Sequence, residues 1–443
     1  MNKYFGTDGI RGTYGSDIMN EDFAQKVGKA IGTFVKIESP DDPTIAIASD
    51  TRPSGPSLKN ALVHGLQEVA TKVIDFGIVP TPALAYGLIG QKANFGVMIS
   101  ASHNHFSDNG IKCFSAKGTK LSLSQELEIE NLIEQNPNSS PAPSETSCYS
   151  LLDDYLENLL AYFSNLDLTG LSVALDCANG ATCNTTGQIL KKLGAKVFTL
   201  HDGDGMINQQ CGSEHLHSLI SEVQKRKTDL GIAHDGDGDR VRFVDGNGRI
   251  IDGDQVLGLL ALHAHQKSNL HSKTFVSTVH SNSGLSSFLN QHGIISKKSD
   301  VGDKNVFLKM VETGSNWGGE SSGHIICTDY LPTGDGLFAA LSVLRILTEK
   351  SKTISSLVSE IKLWPSLSAT IPVTQKPPLE KIPELQKIIS KEKSFLGKEG
   401  RILVRYSGTE PKLRLLVEGK SPDKIRLSYQ SLKDAIEKHC KGS

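Results

Sequence analysis

The strongest constraint on this chain is a repeated alternation: short apolar runs, each followed by a helical segment, interrupted at intervals by glycine-rich polar loops. Residues 44–48 (TIAIA), 95–99, 171–175, 229–234 and 274–279 read as buried strands, while 21–36, 58–70, 186–193, 256–264 and 285–291 carry helical spacing. Strands and helices in alternation favour sheets covered by helices, so the expected class is α/β. Three such units of about a hundred residues are expected, each with one glycine-rich polar loop after a strand, then a small tail domain. The linker PNSSPAPSET (137–146) and the proline-rich stretch 364–382 punctuate the chain. They suggest domains at 1–145, 146–254, 255–367 and 368–443, with 364–382 as a hinge region.

Composition narrows the function classes. The 443 residues carry a formal charge of -2, which argues against a dedicated nucleic-acid or membrane-surface binder. No apolar stretch approaches bilayer length, and the start MNKYFGTDG has no signal-peptide core, so a cytoplasmic protein is expected. Seven cysteines lie scattered without paired metal spacing, as reduced packing thiols would.

The apolar run 95–99 leads into Ser100, Ala101, Ser102, His103 and Asn104, and Gly110-Ile111-Lys112 then reads as a flexible joint carrying a cation. The loop could simply cap backbone groups. A Ser-His hydrolytic pair is a poor alternative, because adjacent side chains in an extended segment point apart and Ser102 lacks the G-x-S-x-G elbow. In a third reading Ser102 carries a phosphoryl group, which requires a divalent cation and a phosphate cradle elsewhere in the chain.

Candidates for both exist. Asp235, Asp237 and Asp239 alternate with glycines, which lets three carboxylates converge on one hard cation. Oxygen donors without His or Cys suit Mg²⁺. Gly246 occupies the place where an EF-hand needs its glutamate, and a solvated acidic turn would leave three like charges in mutual repulsion. Asp237 to Val241 also fits the D-x-D-x-V signature of aspartate-nucleophile phosphatases, a reading that gives the Ser102 loop no purpose. Arg405, Ser407, Gly408 and Thr409, with Arg414 nearby, form an anion cradle in a tail where ten Lys/Arg face five Asp/Glu over 401–443. Glu320, Ser322 and His324 alternate, so an extended segment would present carboxylate, hydroxyl and imidazole on one side, suited to sugar hydroxyls.

Taken together, FGTDGIRG (5–12), ISASHN (99–104), DNGIK (108–112), GIAHDGDGDRV (231–241), GGESSGH (318–324) and SGTEP (407–411) resemble the α-D-phosphohexomutase superfamily in order and spacing. The resemblance implies three similar α/β domains with mixed sheets and a smaller α+β C-terminal domain around a central cleft. It implies Ser102 as the phosphoserine, and Asp235, Asp237 and Asp239 binding one Mg²⁺ together with the serine oxygen. Arg11 and Lys112 would assist proton movement and charge stabilisation, and His103 would join them at the catalytic site, a hydrogen-bonded structural histidine being its alternative. Arg240, Lys304, Glu320, Ser322 and His324 would hold the sugar, and Arg405, Ser407, Gly408, Thr409 and Arg414 the non-reacting phosphate.

The resemblance further implies interconversion of glucosamine 6-phosphate and glucosamine 1-phosphate through a sugar 1,6-bisphosphate, on the route to UDP-N-acetylglucosamine and cell wall. Glucose or mannose phosphates are the alternative substrates, and a non-catalytic phosphosugar-binding protein the alternative class. A homodimer is admitted rather than required, and a kinase or autophosphorylation would prime Ser102. His105 and Tyr406 stand where the family usually has proline, Lys304 where it has arginine and Ser321 where it has glutamine.

Overall fold

The computed structural model describes residues 3–91, 93–138, 146–374, 376–406 and 412–440. The chain divides into two compact units, Met1–Ser281 with His292–Glu360, and Asn282–Gln291 with Ile361–Ser443.

The first unit holds three mixed sheets built on one plan. In the first sheet, Thr44–Ser49 pairs in parallel with Lys72–Ile78 on one side and Phe95–Ile99 on the other, and Asp108–Ser115 adds antiparallel to Phe95–Ile99. In the second, Ser172–Asp176 lies between Lys196–Leu200 and Leu230–His234, and Val241–Asp245 adds antiparallel. In the third, Thr274–Thr278 lies between Ile295–Ser299 and Trp317–Gly319, and Ile325–Cys327 adds antiparallel. The loop joining the last parallel strand to its antiparallel neighbour is in each case one of the polar loops singled out above. All three therefore leave the carboxyl ends of parallel strands, where open α/β sheets place ligands.

The strands that deliver two of these loops, Phe95–Ile99 and Leu230–His234, are buried at every position, which explains their unbroken apolar character. Helix Glu21–Glu38 starts where the Asn20 side chain accepts from Phe23 N, and it buries Val27, Ile31 and Phe34. It packs on helix Gly55–Glu68 so closely that a Cβ on Gly28 would come within 2.1 Å of Leu62 O. Leu62 is fully buried at that crossing, and truncating it to Ala would cost about 2–5 kcal/mol. The four-strand plan and the helices bear out an α/β class with three similar domains.

The second unit is a three-stranded antiparallel sheet, in order Ser366–Pro372, Lys412–Gly419, Gly400–Tyr406, with helices Pro383–Leu396 and Pro422–Cys440. Leu385, Leu413, Leu415, Val417, Leu432 and Ile436 form its core. This is the smaller α+β tail domain. One expectation needs correction. The stretch 364–382 is not all hinge, because Ser366–Pro372 is an edge strand, a position that tolerates its terminal proline. Helix Ser283–Gln291 falls in this unit, with Ser283 N donating to Glu418 Oε1 at 2.8 Å.

Candidate active site

Ser102 is 1 % exposed and holds a backbone φ of +55°, in the left-handed region that a side-chain-bearing residue enters at a cost. The loop is held in that shape from below. Ser100 Oγ donates to Asp50 Oδ2 at 2.6 Å and accepts from Ser102 N at 2.9 Å. Arg52, itself buried, donates to Ser102 O and Asn104 O at 2.9 Å each, to Asp108 O at 2.7 Å and to His105 O at 2.5 Å. Asn208, from the second sheet's domain, donates to Ser102 O at 2.7 Å and to Asn104 O at 3.0 Å. The Arg52 clamp therefore fixes the loop through four of its backbone carbonyls, that of His105 included.

The Ser102 hydroxyl donates to Asp235 Oδ2 at 2.6 Å. Asp235 and Asp237 are fully buried and Asp239 nearly so, and one oxygen from each lies within 4.8 Å of the others. Burial, then the charges of Asp239 and Asp237, push the Asp235 carboxyl well above its ordinary range. Burial also opposes charge on Asp237, but Lys112 overcomes it and holds that carboxyl below its ordinary range. Lys112 Nζ donates to Asp237 Oδ2 at 2.7 Å, and Thr81 Oγ1 donates to the same oxygen at 2.5 Å. Asp237 Oδ1 and Asp239 Oδ1 are buried with no hydrogen-bond partner. Orphaned anionic oxygens beside a third carboxylate and a hydroxyl are what a hard divalent cation would satisfy, so the donor set fits Mg²⁺.

The cations are arranged around Asp8, which the sequence reading passed over. Lys112 is fully buried and also lies 3.1 Å from Asp8 and 3.4 Å from Asp239. Burial opposes its charge, but Asp237, Asp8 and Asp239 push its pKa above the ordinary lysine range. Arg11 pairs with Asp8 and donates to Ala101 O at 3.2 Å and to Asn104 Oδ1 at 3.3 Å. Lys120 pairs with Asp8 and lies 3.4 Å from Asp303.

The expected flexible joint at Gly110 is instead part of the buried strand Asp108–Ser115, which fixes Lys112. Gly110 is there for close approach, since a Cβ would meet Ser100 O at 2.5 Å. The expectation that Ser102 and His103 point apart also fails. The left-handed turn at Ser102 brings His103 Nδ1 to 3.2 Å from its Oγ. Burial, then the charges of Arg240, Arg11 and Lys112, push the His103 imidazole down to about 3.

The third loop is a turn rather than an extended segment. Gly323 has φ +97° and its N donates to Glu320 O at 3.0 Å, so Glu320, Ser322 and His324 do not share a face by strand alternation. Glu320 Oε1 accepts from Gly302 N at 3.0 Å. Ser322 Oγ and both His324 nitrogens are buried without hydrogen-bond partners. His324 Nε2 lies 3.9 Å from Asp239 and 3.7 Å from Asp303, which places it with the aspartate loop as much as with its own. Arg240 lies 3.8 Å from Asp239 and 3.7 Å from Glu214. Lys304 pairs with Glu126 at 2.7 Å on the wall of a cavity of about 600 Å³ that also takes in Lys120, Asp303 and His324.

In the second unit, Arg405 and Arg414 are direct cross-strand partners, so both side chains leave one face of the sheet. Ser407, Gly408 and Thr409 lie outside the described residues.

Family models for the phosphoglucomutase/phosphomannomutase fold match in order: α/β/α domain I at residues 2–140, domain II at 153–248, domain III at 252–363 and the C-terminal domain at 370–431. The chain belongs to the phosphohexomutase family. Among other phosphohexomutases, it is 41% identical to a phosphoglucosamine mutase of Clostridium novyi, over 99% of both chains. It is 41% identical to the phosphoglucosamine mutase of Bacillus subtilis, over 96% of both. A phosphoglucomutase/phosphomannomutase family protein of Burkholderia thailandensis shares its fold, with a TM-score of 0.83 and 23% identity over 99% of this chain and 98% of that one.

Asp50, Arg52, Asn208 and Asp8 went unrecognised as site residues. Asp50 and Arg52 follow a strand at the same sheet end as Ser102, a signal that was present. Asn208 carries no local signal, because its partner lies 106 positions away.

Proposed function

We propose that this chain is a phosphoglucosamine mutase that interconverts glucosamine 6-phosphate and glucosamine 1-phosphate. The observation that carries the reading is the 2.6 Å contact between Ser102 Oγ and Asp235 within a buried carboxylate cluster. Full-length relatives bearing that name support the choice of sugar. Phosphoryl transfer asks a protein chiefly for position and charge stabilisation.

In this reading the oxygen of the sugar's free hydroxyl bonds to the phosphorus on Ser102 as the Ser102 Oγ–P bond breaks, and the proton the hydroxyl loses ends on Ser102 Oγ. The product is a 1,6-bisphosphate, whose other phosphoryl group then returns to Ser102. Asp235, Asp237 and Asp239 would hold Mg²⁺, which when bound neutralises phosphoryl oxygens. Lys112, held in its cationic form, stabilises charge rather than accepting a proton. Arg11 fixes the carbonyl and amide beside Ser102. Glu320, Ser322, His324, Arg240 and Lys304 are assigned to the sugar, and Arg405 and Arg414, with 407–409, to a phosphate. Exclusion of water is required, or the phosphoserine would hydrolyse.

The test combines intact-mass and peptide mapping of Ser102 with turnover of glucosamine 6-phosphate in the presence and absence of chelator. Ser102→Ala should abolish mutase activity, as should chelation. Turnover that survives Ser102→Ala would favour an aspartate nucleophile instead. Equal kcat/KM on glucose or mannose phosphates would refute the choice of sugar while keeping the reaction.

A further inference from the structure

The second sheet also ends in a cluster that phosphoryl transfer does not use. Asp176 closes the strand Ser172–Asp176, His201 follows the strand Lys196–Leu200, and Cys211 lies in the loop before helix His217–Arg226. A carboxylate oxygen, an imidazole nitrogen and a thiol sulfur from these three segments all lie within 4.8 Å of one another. His201 Nδ1 is 3.1 Å from Asp176 Oδ2, and the His201 side chain is 26% exposed while Asp176 and Cys211 are buried. His201 takes a φ of +48°, a second sign that local backbone comfort is not what placed it. The Cys211 sulfur accepts from the Asn179 amide at 4.0 Å, at the outer limit for such a bond, and from the Asn208 backbone.

We propose that Asp176, His201 and Cys211 form a second metal site, for a thiophilic divalent cation such as Zn²⁺. Mixed oxygen, nitrogen and sulfur donors suit zinc and its borderline-soft neighbours and do not suit Mg²⁺. The Asp176 carboxylate is already oriented by outer contacts: Ala178 N donates to Oδ1 at 2.8 Å and Gly212 N to Oδ2 at 3.0 Å. Three protein ligands leave a fourth position. Water can fill it. As the metal–sulfur bond forms, the Cys211 thiol proton leaves to solvent. The segment between His201 and Cys211 carries Asn208, so occupancy stiffens a stretch that holds the Ser102 loop.

Cobalt titration of the reduced, metal-free full chain tests this, with Mg²⁺ saturating so that the all-oxygen cluster is filled. One equivalent of Co²⁺ should produce a thiolate-to-cobalt charge-transfer band that Zn²⁺ displaces. The aspartate triplet has no sulfur and cannot give that band. Cys211→Ser should remove it. His201→Asn should weaken Co²⁺ binding by at least the roughly 10–100-fold that loss of an outer-shell partner costs. Circular dichroism checks the fold, and if Cys211→Ser does not fold, the partly exposed His201→Asn decides alone. Absence of the band in the wild type, or a band and affinity that either folded variant leaves unchanged, overturns the assignment.

Discussion

The Ser102 loop and the loop 320–324 occupy the same place in two sheets of the same plan, yet their polar atoms are treated in opposite ways. Around Ser102, the hydroxyls and carbonyls are bonded to Asp50, Arg52, Asn208 and Asp235. In 320–324, Ser322 Oγ and both His324 nitrogens are buried and unbonded. A buried polar atom without a partner costs about 1–3 kcal/mol, so the second arrangement is stable only because the rest of the fold imposes it. On the proposed function, the contrast separates a loop that would hold one reacting oxygen still from a loop whose Ser322 and His324 would be left for a ligand. Changes around the first should therefore act on kcat, and changes in the second on KM.

The largest effect should come from Asp237→Asn. It removes a candidate metal ligand and also the closest carboxylate to fully buried Lys112. We expect kcat to fall on the order of 10³-fold at saturating Mg²⁺ and substrate. A kcat within a factor of ten of wild type would break the link between the aspartate loop and chemistry.

Arg52→Lys comes next. One ammonium cannot span the four carbonyls that the guanidinium reaches. The Ser102 loop should loosen without losing its charge, with kcat down about 100-fold, KM little changed, and about 3 kcal/mol of stability lost in denaturant melts. If KM moved instead, the fixed loop would not be the one that positions the reacting oxygen.

Ser322→Ala probes the other side of the comparison. Removing an unbonded buried hydroxyl should leave the free protein as stable or more stable by about 1 kcal/mol, while KM rises about tenfold and kcat holds. Loss of stability would mean that Ser322 already serves the fold, and the contrast between the loops would weaken.

Much of this is legible in the sequence. Unbroken apolar runs ending in Ser102 and in Asp235 announced strands that deliver loops, because burial on both faces demands such runs. The aspartate spacing announced convergence. What stayed hidden was whatever depends on distant segments meeting. Asp8 reads as a turn residue until the strand Ile10–Thr13 pairs with Asp108–Ser115 and brings it to Lys112. The left-handed φ at Ser102 is imposed by Arg52 and Asn208 from outside the loop, so a local rule of strand alternation misjudged where His103 points. The turn at 320–324 was misread for the same reason, since Gly323 breaks the alternation that the spacing of Glu320, Ser322 and His324 suggested.

The smallest effect concerns His103, whose Nδ1 lies 3.2 Å from Ser102 Oγ and which pairs with none of the carboxylates directly among the described contacts. Its imidazole is pushed down to about 3, first by burial and then by Arg240, Arg11 and Lys112, so it is neutral at the pH of turnover. A histidine whose folded pKa is depressed contributes stability that is whole above its unfolded value of 6.5 and is lost as pH falls from there toward 3. His103→Gln should therefore flatten part of the acid limb of thermal midpoint against pH, with wild type and variant closest in the acid range and furthest apart near neutrality. The rate profile should not change shape on the neutral and alkaline side, because no proton leaves His103 there. If wild-type kcat showed a limb near the ordinary histidine value that vanished in His103→Gln, the imidazole would be titrating in turnover. His103 would then belong to the reacting machinery rather than to the packing that holds the Ser102 turn.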